Sequence, residues 1–221
     1  MSEAPVIAID GPSASGKGTV AQRVAGELGF HYLNSGALYR LVALAVVRNG
    51  IETSDEARAA AFAVQLPTPR FEGEEIFLEG KPVADAIRTE QVSAAASFVA
   101  ALPKVREALL GRQRAFRRPP GLVAEGRDMA SVVFPDAELK VFLTASIEAR
   151  TERRLKQLKE KGIAATLAAL LQELRERDAR DATRSVAPLK HSPGARPLDT
   201  TSTSAEQAAA RIVGWYRGTN G

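Results

Sequence analysis

The chain alternates short apolar runs with longer stretches in which apolar residues recur every three or four positions. Short runs of this kind are typical of buried strands, whereas the longer spacing is typical of amphipathic helices. The runs predict strands at Val6–Asp10, His31–Leu33, Gly121–Glu125, Leu139–Leu143 and Arg196–Asp199. Because strands alternate with helices, we predict an α/β fold in which a parallel sheet is flanked by helices.

The helical spacing is clear from the first helix onward. Val20, Val24 and Leu28 lie on one face of it, and Gly29 follows, where glycine often ends a helix. The predicted helices are Lys17–Leu28, Ala37–Arg48, Arg88–Val99, a helix that begins at Pro103, Ile147–Lys161, Ala165–Asp178 and Ala205–Arg217.

The segment from Pro67 to Ile87 differs from the rest because it is rich in proline, glycine and short apolar runs. Glu75–Glu79 predicts a strand, and the Gly-Lys-Pro that follows predicts a turn. Together these features predict a small antiparallel β insert. No segment has the length and composition of a domain linker, so residues 1–221 are predicted to form one domain.

Composition limits the class of protein. The 221 residues are 45% apolar and 25% charged, which supports a substantial core in a globular protein. No apolar run reaches the length of a membrane helix, and the N-terminus lacks the pattern of a signal peptide. The chain has no cysteine, which excludes disulfides and thiolate metal sites. We therefore expect a cytoplasmic protein without a membrane partner.

The charge is concentrated in one region. The formal net charge is +4, and Glu148–Lys190 contains eleven Lys or Arg against seven Asp or Glu. A basic balance suits either a nucleic acid or a small anionic substrate such as a nucleotide. Glu148–Lys190 contains no Phe, Trp or Tyr on which bases would stack. We therefore expect no nucleic-acid partner, although an ATP-regulated nucleic-acid binder stays the alternative from another class.

The sequence GPSASGKGT, residues 11–19, fits the glycine-rich phosphate loop G-x-x-x-x-G-K and is called the P-loop below. It follows a predicted strand and opens a predicted helix, the context in which such a loop binds nucleotide phosphates. A tight strand–helix turn that merely contains glycine and lysine is the alternative. The residues predicted to bind ATP are Gly11, Pro12, Ser13, Ala14, Ser15, Gly16, Lys17, Gly18 and Thr19.

The P-loop departs from the usual motif at one position. Gly18 stands where a serine or threonine hydroxyl commonly ligates Mg²⁺, and Thr19 comes one residue later. We therefore expect Mg²⁺ to arrive with ATP and to be held largely by phosphates and water, with Thr19 as the one possible protein ligand.

Three further constellations indicate where the acceptor binds. Ser35 and Arg40, in NSGALYR, lie at the start of a predicted helix, where they would meet a phosphate; a serine N-cap and a surface arginine are the alternative. Arg127 and Asp128 follow a predicted strand, at the sheet edge where α/β folds bind ligands. The alternative is a surface ion pair.

The third constellation is a charged helix face. Arg177, Asp181 and Arg184 recur at helical spacing in LRERDARDATRSVAPL. An exposed helix with salt bridges would give the same pattern, but the local basic excess favours a role in phosphoryl transfer.

These motifs, with Ser97 and Arg106 in AASFVAALPKVREALL and the whole of EGRDMASVVFPDAELKVFL, occur in the order and spacing of bacterial cytidylate kinases. The chain resembles that family from Val6 to about Tyr216. The resemblance implies the fold of a nucleoside monophosphate kinase, with a P-loop core, a β insert in the monophosphate-binding region and a helical lid near Lys156–Ala169. It also implies ATP and CMP or dCMP as partners. We expect a monomer.

The resemblance also implies individual roles. Ser35, Arg40, Arg127 and Arg184 would surround the CMP phosphate, Ser97, Arg106 and Asp128 would recognise cytosine, and Arg177 and Asp181 would contact the pentose. The catalytic cations would be Lys17, Arg127, Arg177 and Arg184. A carboxylate at Asp128 accepts from the exocyclic amine of cytosine, which uracil lacks.

Two further points concern the loop that carries Asp128 and the identity of the acceptor. Ala130 stands where the family commonly has glycine, and it would strain the loop if the backbone there needs a positive φ. A kinase of UMP, AMP, dTMP or a non-nucleotide alcohol on the same core is the nearest alternative function.

Overall fold

A computed structural model of the protein describes residues 3–73, 75–160 and 162–219. In chain order, the strands are β1 (Val6–Asp10), β2 (His31–Asn34), β3 (Arg70–Glu72), β4 (Glu75–Leu78), β5 (Lys81–Pro82), β6 (Leu122–Gly126), β7 (Leu139–Thr144) and β8 (Arg196–Asp199). The helices are α1 (Lys17–Leu28), α2 (Ser35–Arg48), α3 (Glu56–Gln65), α4 (Ala84–Arg88), α5 (Glu90–Val99), α6 (Pro103–Arg114), α7 (Ile147–Glu160), α8 (Leu167–Thr183) and α9 (Ala205–Thr219). Met129–Val133 forms a π-helical turn.

The central sheet is parallel and has the strand order β2-β6-β1-β7-β8. Alternate residues of β1 face opposite sides, so Val6 and Ala8 pack under α2, α5 and α6, while Ile7 and Ile9 pack under α1 and α9. Both faces are therefore covered, which confirms the predicted α/β fold. Its carboxyl edge carries the P-loop and the ends of β2 and β6.

The insert is a three-stranded antiparallel sheet in the order β3-β4-β5, as the pattern after Pro67 predicts. The predicted Gly-Lys-Pro turn is wrong in detail. Glu79 and Gly80 make the turn with positive φ values of 50° and 78°, and Lys81-Pro82 pairs with β4 as a strand. Proline fits there because β5 is an edge strand and its missing N–H breaks no ladder.

The helix α3 is absent from the sequence prediction. Its N-cap is Asp55, whose carboxylate accepts a hydrogen bond from the backbone N–H of Arg58 at 3.1 Å. Its buried face consists of Ala59 and Ala63, which are too small to mark an apolar stripe. The Asp55 cap and the run of alanines, which are strong helix formers, do indicate a helix here. The segment lacks a clear 3.6-residue apolar period, so the pattern of apolar residues does not predict it.

The segment that the resemblance names as a lid, Lys156–Ala169, spans the end of α7, its connection and the first residues of α8. Lys161, the predicted last residue of the helix that begins at Ile147, lies outside the described residues. The helix α8 continues to Thr183 rather than ending at Asp178, so Arg177 and Asp181 are both helical and Arg184 is its C-cap.

One glycine fixes how the P-loop leaves the sheet. A Cβ atom on Gly11 would stand 2.0 Å from the carbonyl oxygen of Leu143, so only glycine allows β1 to turn this close to β7. Among residues 3–73, 75–160 and 162–219, no helix combines the length and apolar character that crossing a membrane requires.

Candidate functional site

A cavity of about 260 Å³ opens at the carboxyl edge of the sheet, where α/β folds bind their ligands. It is bounded by the P-loop, the start of α2, the end of β6 and helices α5, α6 and α8. The predicted site residues that line it are Ser13, Ala14, Gly16, Lys17, Gly18, Thr19, Ser35, Arg40, Ser97, Arg106, Arg127, Asp128, Arg177, Asp181 and Arg184. Gly11, Pro12 and Ser15 belong to the same loop but do not line this cavity.

The cavity wall also contains residues that the sequence did not single out: Asn34, Gly36, Tyr39, Ala96, Ala100, Glu125, Gly126 and Gln157. Glu125 is the most consequential of them because it is an acid that is 5% exposed. The signal was available, since a carboxylate at the end of a buried strand in EGRD has to be paired.

The cavity concentrates positive charge. Its cations are Lys17, Arg40, Arg106, Arg127, Arg177 and Arg184, and its acids are Glu125, Asp128 and Asp181. Burial and the neighbouring Arg177 lower the pKa of Arg40 to about 9. Burial and Arg127 likewise lower the pKa of Arg177 to about 10. Cations held this close stabilise an anion such as a phosphate group.

Lys17 lies at the bottom of the P-loop and is 7% exposed. Its Nζ donates to the carbonyl oxygen of Pro12 at 3.0 Å and stands 3.9 Å from Oε2 of Glu125. Burial, together with the charge of Arg127, lowers the pKa of Lys17 from 10.5 to about 7. Burial therefore disfavours the ammonium form of Lys17, and the negative charge of phosphate groups beside it would favour that form.

This pKa predicts that ATP binding takes up protons. At pH 8 the unliganded protein holds Lys17 mostly neutral, and the phosphates favour its ammonium form, so we expect uptake of about one proton. The same pKa shift makes stability depend on pH. Between about pH 7 and 10.5 Lys17 binds more protons in the unfolded chain than in the folded one, so its contribution to stability rises with pH.

The measurement is isothermal titration calorimetry of Mg·ATP at pH 8 in buffers with different ionisation enthalpies. Lys17→Met keeps the length of the side chain but cannot titrate, so the uptake should disappear in that variant. Equal proton uptake by the variant and the wild type would assign the proton to another group.

Arg127, at the end of β6, contacts Asp181 of α8. Arg127 Nε donates to Asp181 Oδ2 at 2.8 Å. Burial lowers the pKa of Arg127, but the Asp181 carboxylate outweighs burial and raises this pKa above its usual value. Burial raises the pKa of Asp181, but Arg127 and Arg177 outweigh burial and hold this pKa below its usual value. The pair fixes α8 against the sheet edge with both groups charged.

Arg106 and Asp128 form a second, deeply buried ion pair through Nη2 and Oδ2. Their side chains are 7% and 4% exposed. Arg106 also donates to the carbonyl oxygen of Ala100 at 3.1 Å and lies 5.7 Å from the ring centroid of Tyr39. Arg106 Nε has no hydrogen-bond partner within the described part of the chain, so one donor is left for a ligand.

Asp10 holds the loop that carries Asp128. Its two carboxylate oxygens accept from the backbone N–H groups of Met129 and Ala130, each at 2.8 Å. Burial raises the pKa of Asp10 to about 6. The only non-glycine residues with positive φ among those described are Ala14, Glu79 and Ala187, so the strain considered for Ala130 does not arise.

Hydrogen bonds to other segments of the chain fix the side chains of Arg40 and Ser35. Arg40 Nη1 donates to the carbonyl oxygen of Ile87 at 2.9 Å and to Ser93 Oγ at 2.7 Å. Ser35 Oγ donates to the carbonyl oxygen of Glu125 at 2.8 Å. The N-cap of α2 is Asn34 rather than Ser35, because the Asn34 side chain accepts from the N–H of Ala37. Ser35 therefore ties α2 to β6 at the cavity wall.

The helix α7 braces the P-loop through two arginines that the sequence analysis did not identify. Arg150 Nη1 donates to the carbonyl oxygen of Ser13 at 3.1 Å, and Arg153 Nη1 donates to that of Ser15 at 3.2 Å. Arg150 also pairs with Asp178 of α8 at 2.7 Å. These contacts link the P-loop to both helices that flank the predicted lid.

Glu125 explains the unusual Gly18 in structural terms. A Cβ atom at position 18 would lie 3.2 Å from Glu125 Oε1, so a larger residue would crowd this carboxylate. Tyr32 donates its hydroxyl to the same oxygen at 3.1 Å. Glu125 and Thr19 line the same cavity as Lys17, so carboxylate and hydroxyl oxygens are both available there. These oxygens fit a hard divalent cation.

The chain is similar to known proteins over nearly its whole length. The family model described as "Cytidylate kinase" matches residues 7–217. A cytidylate kinase of Polynucleobacter asymbioticus is 57% identical over 98% of this chain and 98% of its own length. One of Bordetella bronchiseptica is 56% identical over 97% of this chain and 96% of its own. A gluconokinase structure from Sinorhizobium meliloti shares the fold, with a TM-score of 0.51 and 14% identity over 99% of this chain and 94% of that one.

Proposed function

The chain belongs to the cytidylate kinase family, and we propose that it transfers the γ-phosphoryl group of ATP to CMP or dCMP. The products are ADP and CDP or dCDP. The observation that carries this proposal is a single cavity in which the P-loop lysine, a cluster of arginines and the Asp128 carboxylate meet. A phosphate acceptor with a cytosine base matches these charges.

The transfer proceeds in line, without a covalent enzyme intermediate. The attacking atom is a phosphate oxygen that is already anionic, so the reaction requires no general base. The protein instead positions the two phosphates and stabilises the charge of the transferring group. Lys17 contacts the ATP phosphates, and Arg127, Arg177 and Arg184 stabilise the moving group.

The acceptor groups divide by the part of CMP that they bind. Ser35, Arg40, Arg127 and Arg184 bind the CMP phosphate, and Arg177 and Asp181 contact the pentose. Ser97, Arg106 and Asp128 recognise the base. Asp128 accepts from the exocyclic amine of cytosine, and the ion pair with Arg106 fixes the position of its side chain.

Mg²⁺ would be bound together with ATP, held by its phosphates, by Glu125 and by the hydroxyl of Thr19. When bound, it neutralises phosphate charge in the transition state. Tyr32 orients Glu125 through its hydroxyl, and Gly18 leaves space for the carboxylate. Glu125 Oε2 also lies 3.9 Å from Lys17 Nζ, and its charge raises the pKa of Lys17 against the larger effect of burial.

Glu125→Gln should weaken the use of Mg²⁺ specifically. The amide retains an acceptor for Tyr32 but loses the charge, so we expect the Mg²⁺ concentration for half-maximal activity to rise on the order of tenfold. The affinity for ADP, measured by calorimetry with and without Mg²⁺, should fall only when the metal is present. The exposed Glu138→Gln is the matched control. An unchanged Mg²⁺ dependence would remove Glu125 from the metal site.

A coupled ADP-release assay across acceptors tests the function. We expect CMP and dCMP to be phosphorylated, with much lower kcat/KM for UMP, AMP, dTMP and simple alcohols. A preference for one of the other acceptors would replace the proposal with the nearest alternative. Tight, salt-dependent binding of RNA or DNA without turnover of CMP would favour the nucleic-acid binder instead. The lid at Lys156–Ala169, the single domain, the monomeric state and the cytoplasmic location stay predictions.

A further inference from the structure

Asp128 stands at the N-cap position of the π-helical turn Met129–Val133. Its backbone carbonyl oxygen accepts from the N–H of Val133 at 3.2 Å. An aspartate at an N-cap commonly accepts with its own carboxylate from the free N–H groups of the first turn. The Asp128 side chain makes no such capping hydrogen bond. Its carboxylate instead pairs with Arg106 and lines the cavity.

Asp10 supplies the missing cap from another part of the chain. Its two carboxylate oxygens accept from the backbone N–H groups of Met129 and Ala130, one each, at 2.8 Å. These are the first free donors of the turn, and a negative charge at this end of a helical turn is favourable. Asp10 ends β1 and is only 2% exposed, so this cap is held inside the protein.

The opposite end of the same turn is also held by a distant side chain. Arg114 of α6 donates from Nε to the carbonyl oxygen of Val133 at 3.0 Å and from Nη2 to that of Val132 at 3.1 Å. An acid therefore caps the N–H end of the turn, and a base caps the carbonyl end. Because both caps come from other elements, the turn does not require the side chain of Asp128.

The charge of Asp10 also opposes a return of the Asp128 carboxylate to the N–H end of the turn. Burial raises the pKa of Asp10 to about 6, and the charge of Asp128 contributes to the same shift, so the two carboxylates repel each other. Arg127 partly offsets this effect on Asp10. The occupied N–H groups and the repulsion act in the same direction, away from the turn.

We infer that Asp10 is a positioning residue for base selection: it caps the π-helical turn in place of Asp128 and so leaves the Asp128 carboxylate to face the cavity. This inference rests on the proposed function and deepens it, since Asp128 is the acid proposed to recognise cytosine. Asp10 does not line the cavity, so it acts through Asp128 rather than by contact with the substrate.

The test compares Asp10→Asn with Arg114→Leu. Asparagine keeps the shape of aspartate but has one acceptor oxygen, so one N–H group of the turn loses its partner and the repelling charge disappears. The Asp128 carboxylate is then expected to bind the vacated N–H group. Arg114→Leu loosens the other end of the same turn but leaves both N–H groups capped, which makes it the matched control.

Each variant and the wild type are assayed at pH 8 for kcat/KM with CMP and UMP. Dissociation constants for CMP, UMP and ADP are measured by calorimetry. We expect the preference for CMP over UMP to fall about tenfold in Asp10→Asn, by both measures. Arg114→Leu should keep the wild-type preference even where its melting temperature falls. The affinity for ADP should not change in either variant.

A merely structural role would give a different result. Asp10 directly precedes Gly11, so a disturbed P-loop would weaken ADP binding and lower the affinity for CMP and UMP alike. A double-mutant cycle gives a second reading, because Asp10→Asn should not lower the preference further in an Asp128→Ala background. Asp10→Ser, whose hydroxyl also accepts from one N–H group, replaces Asp10→Asn if that variant does not fold.

An unchanged preference in the folded Asp10 variant, or a further loss of preference in the Asp128→Ala background, would overturn the inference. Equal binding of CMP and UMP by the wild type would overturn it as well. Failure of the wild type to phosphorylate CMP would instead contradict the proposed function. The calorimetric ratios are measured without turnover, so the two failures are distinguishable.

Discussion

Lys17→Ala is expected to lower kcat by a factor on the order of a hundred or more. The ammonium of Lys17 supplies charge to the phosphates in a site from which water is largely excluded, where electrostatic stabilisation is strongest. The measurement is steady-state ADP release with saturating ATP and CMP. Because the interaction strengthens as charge moves to the leaving phosphate, kcat should fall more than the affinity for CMP changes.

The Lys17→Ala variant should remain folded, which makes its kinetics interpretable. Burial disfavours the Lys17 ammonium in the native state, and Tyr32 still donates a hydrogen bond to Glu125 when the amine is removed. We expect a melting temperature close to that of the wild type. Lys104→Ala, at an exposed position on α6, is the matched control and should keep normal turnover. Near-normal kcat in folded Lys17→Ala would refute electrostatic catalysis by this residue.

Asp128→Ala is expected to affect both stability and base selection. It leaves Arg106 charged and unpaired at a position where the side chain is 7% exposed, so the free energy of unfolding should fall by about 3 kcal/mol. It also removes the acceptor for the exocyclic amine, so kcat/KM for CMP should fall about a hundredfold, with a much smaller change for UMP. Urea unfolding and the acceptor assay measure the two effects.

Asp128→Asn separates these two effects. The asparagine side chain has one carbonyl oxygen, which accepts from Arg106 or from the cytosine amine but cannot replace both carboxylate oxygens. Because Arg106 keeps an acceptor, we expect Asp128→Asn to retain stability better than selectivity. Asp136→Ala is the matched control, because Asp136 also pairs with an arginine, Arg117, but is 55% exposed. It should cost less than about 1 kcal/mol and leave selectivity unchanged. Equal losses of kcat/KM for CMP and UMP would remove Asp128 from base recognition.

Much of the fold is predictable from the sequence because its signals are local. The strands Val6–Asp10 and Arg196–Asp199 and the helix Lys17–Leu28 have the predicted boundaries, since continuous apolar runs and a 3.6-residue period are properties of neighbouring residues. The helix α3 escaped because alanines form its buried face and provide little contrast with polar positions. The sequence predicts a turn rather than a strand at Lys81-Pro82, because proline is tolerated in a strand mainly at a sheet edge. The edge position of this strand is visible only in the structure.

The P-loop side of the candidate site can be predicted from the sequence more directly than the acceptor side. The P-loop is a contiguous motif whose strand and helix can be recognised from the same residues, so its placement follows from the sequence. Three charged motifs indicated most of the acceptor residues, whereas Ser97 and Arg106 were named only through the resemblance. The structure brings all of them to one cavity. Asp10, Glu125, Arg150 and Arg153 were not named, because each appears in the sequence as one more charged residue in a strand or a helix.

The sequence by itself determined the α/β class, the phosphate loop and the membership of a family, because each is specified by ordered local patterns along the chain. The tertiary structure alone decided which charges are paired. Asp128 meets Arg106 across 22 positions, and Asp181 meets Arg127 across 54. These contacts arise where helices α5, α6 and α8 pack at the carboxyl edge of the sheet. Packing brings together residues that no local pattern relates, and it removes the water that would otherwise screen their charges.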